Sequence, residues 1–195
     1  MKSFFITVFA FLSFCAHAQV AASATEISPI LIGEKVPDLS VYDEQNKAVS
    51  LASIFNKPTV LVFFRGGWCP YCNVHLADLA KIEDQIIALG YQIVAISPDD
   101  FENVEGLEDK LDVKYKIYSD KKAAVIQSLG IGYLASDKTK KYISGVTKGE
   151  TTEVLPVPAL FVIDKNSEVL FEYLKPDITK RIPGKLLLSV LEGLK

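Results

Sequence analysis

Apolar residues run almost unbroken along two stretches of the chain and return at helical intervals between them. The stretches are "PTVLVFF", Pro58 to Phe64, and "YQIVAIS", residues 91 to 97. Rich in β-branched and aromatic residues, they predict strands buried on both faces. From Asn73 onward, Leu76, Leu79, Ile82, Ile86 and Leu89 recur at steps of three or four, which predicts one continuous helix ending at Gly90. Ser97-Pro98-Asp99-Asp100 then offers a cap, a first-turn proline and acidic residues for a second helix with the stripe Phe101, Val104, Leu107 and Leu111. A third strand at Lys116 to Tyr118 and a short helix near Ala123 to Leu129 continue the βαβα alternation.

The flanks carry a different pattern. "GEKVPDLSVYDEQNKAVSL" holds two short extended runs, Leu39 to Tyr42 and Ala48 to Leu51, around Asn46, and predicts an N-terminal hairpin. Residues 132 to 154 carry three glycines with many lysines and threonines, and read as a long loop or insertion. "ALFVID" and "EVLFEYL" flank Lys165-Asn166-Ser167 as a second hairpin. Ile182, Leu186, Val190 and Leu194 mark a terminal helix that takes Pro183 in its first turn. A parallel core, an antiparallel edge hairpin and helices on both faces follow from this order.

The first eighteen residues stand apart. Lys2, the apolar run Phe4 to Ala16 and the small-x-small triplet Ala16-His17-Ala18 make an export signal with cleavage before Gln19. The run is short for a bilayer-spanning helix, which takes roughly 20 residues, so no stable membrane insertion is expected after cleavage. Phe14 precedes Cys15 where lipoprotein processing takes a small residue, which argues against acylation. Removing eighteen of the 195 residues leaves 177, enough for one domain with a sizeable core. Twenty basic and 24 acidic side chains remain, a formal charge of −4, and this mild acidity argues against nucleic acid as a partner. The expected destination is the periplasm or the outside. Residues 19–31 read as a polar, small-residue leader, and the domain is placed at 32–195.

Export leaves two cysteines, Cys69 and Cys72, and one histidine, His75. Cysteines at i and i+3 of a helix start have Cα atoms about 5–6 Å apart, within disulfide range. A helix amino end also favours thiolate over thiol. One sulfur can therefore attack and the other resolve the resulting mixed disulfide. Two plainer readings stand beside this. A structural disulfide would close a short loop, where the stabilisation is smallest. A zinc site takes four ligands, and only His75 is left to join the pair. No metal or other cofactor is expected. His75, one turn past Cys72, is in a position to tune a thiolate but is expected as an exposed polar helix residue, and Trp68 reads either as core or, beside a reactive sulfur, as a shield and flat contact for a partner.

Trp68-Cys69-Pro70-Tyr71-Cys72 after a buried strand, with Pro158 before a later one, resembles the thioredoxin fold. "GEKVPDL", "FFRGGWCPYC", "YQIVAISPDD" and "PALFVIDKNSEVLFEY" are more closely similar to peroxiredoxin-like proteins of the alkyl hydroperoxide reductase/thiol-specific antioxidant group. The resemblance spans about Ile32 to Lys175. It implies an α/β, thioredoxin-like fold: a central mixed sheet, helices on both faces and an N-terminal hairpin extension. It also implies an antioxidant thiol enzyme that reduces peroxides through a dithiol cycle and is reset by an external thiol reductant protein. The alternative is a general thiol–disulfide oxidoreductase acting on protein disulfides.

Laid on the peroxiredoxin spacing P-x-x-x-T-x-x-C, the attacking cysteine is Cys72, with Cys69 at the threonine position and Arg65 at the proline position. The family's further arginine falls near Val157, where none stands, and Arg65 is the candidate for supplying the lost charge. The thioredoxin pattern instead makes Cys69 the exposed attacker and Cys72 the resolver, with Phe63 where that fold has a buried acid. By the same resemblance Pro158 is expected to be cis, leaving the Val157 backbone free to hydrogen-bond a thiol partner. Pro70 and Tyr71 complete the expected site.

Overall fold

The computed structural model describes residues 20–147, 149 and 152–195. The export signal, residues 1–18, lies outside them. A seven-stranded mixed sheet organises the chain, with strand order β2-β1-β5-β4-β3-β8-β9. The strands are β1 (Ser40–Tyr42), β2 (Ala48–Ser50), β3 (Thr59–Phe63), β4 (Gln92–Ser97), β5 (Lys116–Ser119), β8 (Ala159–Ile163) and β9 (Val169–Leu174). β3, β4 and β5 run parallel, and β8 and β9 add an antiparallel edge beside β3. β1 and β2 form the predicted N-terminal hairpin, joined antiparallel to β5.

The helices are α1 (Leu51–Ile54), α2 (Pro70–Ala80), α3 (Glu83–Ala88), α4 (Phe101–Val104), α5 (Leu107–Leu111), α6 (Ala124–Ser128), α7 (Asp137–Val146) and α8 (Gly184–Gly193). Successive strand residues point to opposite faces. Val60, Val62 and Phe64 therefore bury with Leu76, Leu79, Leu107, Leu187 and Leu191 on one side. Leu61 and Phe63 meet Leu51, Phe55, Val125, Ile126 and Leu129 on the other. Two cores sandwich the sheet, as the largely apolar runs require.

Five sequence expectations need correction. The helix expected from Asn73 to Leu89 is two: Ile82 leaves helical geometry, and Glu83 and Asp84 occupy the first turn of α3, where the helix dipole favours acids. Apolar spacing continues across the break, so periodicity alone hides it. The stripe from Phe101 to Leu111 also divides, because Gly106 takes φ +70, a conformation open to glycine. Asp100, rather than Ser97, caps α4 by accepting from the Phe101 N–H, so Pro98 stands before the helix. Pro183 is likewise the N-cap of α8 and not in its first turn.

Residues 132–154 are the fifth. β6 (Gly132–Leu134) pairs antiparallel with β7 (Val154–Pro156), and α7 lies between them, capped by Ser136, whose Oγ accepts from the Thr139 N–H. Ile143, Ala135 and Leu155 make a small core there, packed on Trp68 and Tyr133. Three-residue strands carry too little alternation to be read beforehand.

The segment after residue 20 is tied down. Its backbone N–H groups at Ser28 and Ile30 donate to Gly130 and Leu129 carbonyls, and Ala21 bridges Tyr133. Gly130 has φ +64, and a Cβ there would sit 1.8 Å from the Ser28 oxygen, so only glycine lets the segment pass.

Candidate active site

β3 ends at Phe63, and the chain turns through Arg65, Gly66, Gly67 and Trp68 before Cys69 takes the N-cap of α2. Pro70 follows at the first helical position, where its missing N–H is no loss. Gly66 makes the turn with φ +147. Asp99, at the end of β4, secures it: its carboxylate accepts from the Gly67 N–H at 2.7 Å and from Trp68 Nε1 at 3.1 Å. Asn73 Nδ2 donates to the Gly67 carbonyl from inside α2. The parallel pairing of β3 with β4 thus brings two sequence-distant loops together at the carboxyl end of the strands.

Both sulfurs are free thiols and both are buried, Cys69 2% and Cys72 0% exposed. The Cys72 thiol donates to Cys69 Sγ across 2.6 Å. That hydrogen bond is the largest influence drawing Cys69 down to about 6; burial opposes it, while the Cys72 backbone N–H, Arg65 and Arg181 assist. The same bond, with burial, pushes Cys72 well above the ordinary thiol range. The opposed shifts favour the anionic form on Cys69 and the protonated form on Cys72.

Arg65 is buried, and its guanidinium stands 5.1 Å from the centre of the Trp68 ring, a cation–π distance. The Trp68 ring also meets Tyr142 of α7 in a T-shaped contact, ring centroids 5.9 Å apart. Trp68 therefore lies between the dithiol turn and the α7 segment. Tyr71 is half exposed and, with Val74, His75, Leu79, Arg181 and Ile182, lines a groove of about 510 Å³ between α2 and the chain leading into α8.

Two expectations fail at the site. No cis peptide bond occurs among the described residues, so Pro158 is trans. The Val157 N–H is already committed to the Ile131 carbonyl at 3.0 Å, and the chain runs directly from β7 into β8. Pro158 still borders the site, lining a small cavity with His75 and Arg181. His75 is buried, 7% exposed, not a surface position, because the loop at Thr179 to Pro183 covers that face of α2.

Burial, reinforced by Arg181, draws His75 from its usual value near 6.5 to about 4. Its folded value lies below its unfolded one, so the stability it contributes is complete above about pH 6.5 and drains away as pH falls toward 4. Asp120, raised to about 6 by burial, acts in the opposite sense. His75→Leu keeps Asp120 and removes only the first effect. Between about pH 7 and pH 5, wild type is expected to lose about 2 kcal/mol more than His75→Leu, read from urea midpoints. Equal losses would mean that the imidazole is protonated in the fold.

Two residues of the site escaped the sequence. Arg181 lies 109 positions beyond Cys72, outside any motif, yet its Nη2 donates to Cys72 Sγ at 3.3 Å. Asp99 stood in a stretch legible only as a helix start. Among the described residues, no group of three or more His, Cys, Asp or Glu gathers as metal ligands.

Fold and dithiol together define a thioredoxin-fold, peroxiredoxin-like protein, in the class of thiol-dependent peroxidases and oxidoreductases. A family model, AhpC/TSA family, matches residues 32–171, and the chain belongs to that family. Peroxiredoxin Bcp of Bacillus subtilis is 22% identical over 157 residues, covering 80% of this chain and 93% of that protein. Thiol-disulfide oxidoreductase ResA of Bacillus cereus is 22% identical over 156 residues, covering 80% and 76%. The solved structure of reduced Prx3 from Vibrio vulnificus superposes with a TM-score of 0.71 at 17% identity, over 84% of this chain and 99% of that one, which shows a shared fold.

Proposed function

We propose that this chain is an exported antioxidant enzyme that reduces peroxides through Cys69 and Cys72 and is reset by an external thiol reductant protein. The carrying observation is the Cys72-to-Cys69 hydrogen bond, which leaves a thiolate at the amino end of α2 at neutral pH. Cys69 Sγ attacks one peroxide oxygen; the O–O bond breaks, the departing alkoxide or hydroxide takes up a proton, and sulfur is oxidised to sulfenic acid. Cys72 then attacks that sulfur. The S–O bond breaks, water leaves with the thiol proton, and a disulfide remains. An external dithiol restores both thiols by exchange. Export rests on the Phe4 to Ala16 run and its Ala16-His17-Ala18 end.

Stopped-flow mixing of reduced protein with hydrogen peroxide, followed by the single tryptophan, Trp68, tests the peroxidase step. A fast fluorescence change is expected. A rate no greater than that of free cysteine sinks it. The second reading, exchange with protein disulfides, is favoured by the cysteine at the peroxiredoxin threonine position and by the ResA similarity. Insulin reduction by the reduced protein at a rate exceeding its peroxide turnover would establish that reading instead.

A further inference from the structure

We propose that Arg181 is a catalytic residue for the second half of the cycle, steadying the Cys72 sulfur as it attacks oxidised Cys69. The inference rests on the reading of Cys69 as attacker and goes beyond it. Cys72 is fully buried, and a sulfur that must become anionic there has no water to receive the charge. Resolution is therefore the step that most needs a fixed cation. Arg181 supplies one at 3.3 Å, through Nη2.

The guanidinium is held for the purpose. Its Nη1 donates to the Ile178 carbonyl at 2.8 Å and to the Lys180 carbonyl at 2.7 Å, so the fork is oriented before the reaction begins. The Tyr173 hydroxyl, from β9, donates to the Arg181 carbonyl. Arg65 cannot take this place with its side chain. That guanidinium is turned to the Trp68 ring and donates to the Tyr133 oxygen, and only the Arg65 backbone N–H reaches Cys72. Both guanidinium groups favour the Cys69 thiolate from a distance, and of the two side chains Arg181 is the one that hydrogen-bonds the resolving sulfur.

A peroxide-free assay isolates the step. With the aromatic disulfide DTNB, Cys69 Sγ forms a mixed disulfide and releases one thionitrobenzoate. Cys72 Sγ then bonds to Cys69 Sγ. The bond from Cys69 to the aromatic sulfur breaks, the second thionitrobenzoate leaves with the electron pair, and the thiol proton goes to solvent. Wild type is expected to release two equivalents and Cys72→Ser one. In Arg181→Gln the second release should slow roughly ten- to a hundredfold, the size of one hydrogen bond to a charged group, while the first slows less. Its pH midpoint should move upward, and Arg181→Lys, which keeps charge without the fork, should recover part of the rate. An unchanged second phase and pH midpoint in Arg181→Gln overturns the proposal, as does a first phase slowed more than the second. Failure of the parent reading looks different: Cys69→Ser would then release the first equivalent as fast as wild type.

Discussion

Cys69→Ser will lose rapid reaction with both hydrogen peroxide and disulfides, a fall on the order of a thousandfold or more, because the nucleophile is removed. Cys72→Ser will keep the attack and lose the resolution, so Cys69 should accumulate as mixed disulfides with its partners. Trapping by Cys69→Ser alone would reverse the assignment. Cys72→Ala carries a sharper expectation. The foremost cause of the low Cys69 value is the hydrogen bond from Cys72, ahead of both arginines. Deleting that donor should move the pH midpoint of Cys69 alkylation from about 6 up toward the ordinary thiol value. Below the midpoint the thiol dominates and alkylation slows, so the difference between wild type and Cys72→Ala is largest in mildly acidic buffer. A midpoint that stays near 6 in Cys72→Ala would hand the effect to the helix end and the guanidinium groups.

Gly66→Ala should damage the fold and the chemistry together. Gly66 holds φ +147, which an L side chain rarely adopts, and its Cβ would sit 2.2 Å from Trp68 Nε1 and 2.4 Å from Asp99 Oδ1. Neither neighbour can retreat freely, since those two atoms are hydrogen-bonded to each other. Strain and overpacking together are expected to remove on the order of 3 kcal/mol, seen as a lower urea midpoint. The Cys69 N–H donates to the Gly66 carbonyl at 3.0 Å, so displacement of the turn also displaces the first sulfur. Alkylation of Cys69 should slow in the same variant. A Gly66→Ala protein with wild-type stability and alkylation would show that the turn has slack.

The parallel core was legible because β3 and β4 are buried on both faces and so are written in mostly apolar residues. The dithiol was legible because its two cysteines stand close in sequence, after a strand and at a helix start. What stayed hidden depends on contacts across the chain. Arg181 reaches Cys72 from a loop with no periodic pattern. His75 is polar in sequence and buried in space because the residues before α8 fold over it. Pro158 followed the family expectation in position and not in isomer, and the Val157 amide is paired with Ile131 rather than left free. The residues between β6 and β7 concealed α7, whose face is anchored by one buried isoleucine, Ile143.

The depth at which the two sulfurs lie grades reagents by girth. With Cys69 2% and Cys72 0% exposed, a molecule as slim as hydrogen peroxide is expected to reach the pair more readily than a macromolecular donor, which would need the wall over the sulfurs to part. Reduction by such a donor should accordingly show a steeper thermal dependence than oxidation, and stiffening that wall would starve the cycle at its return stroke.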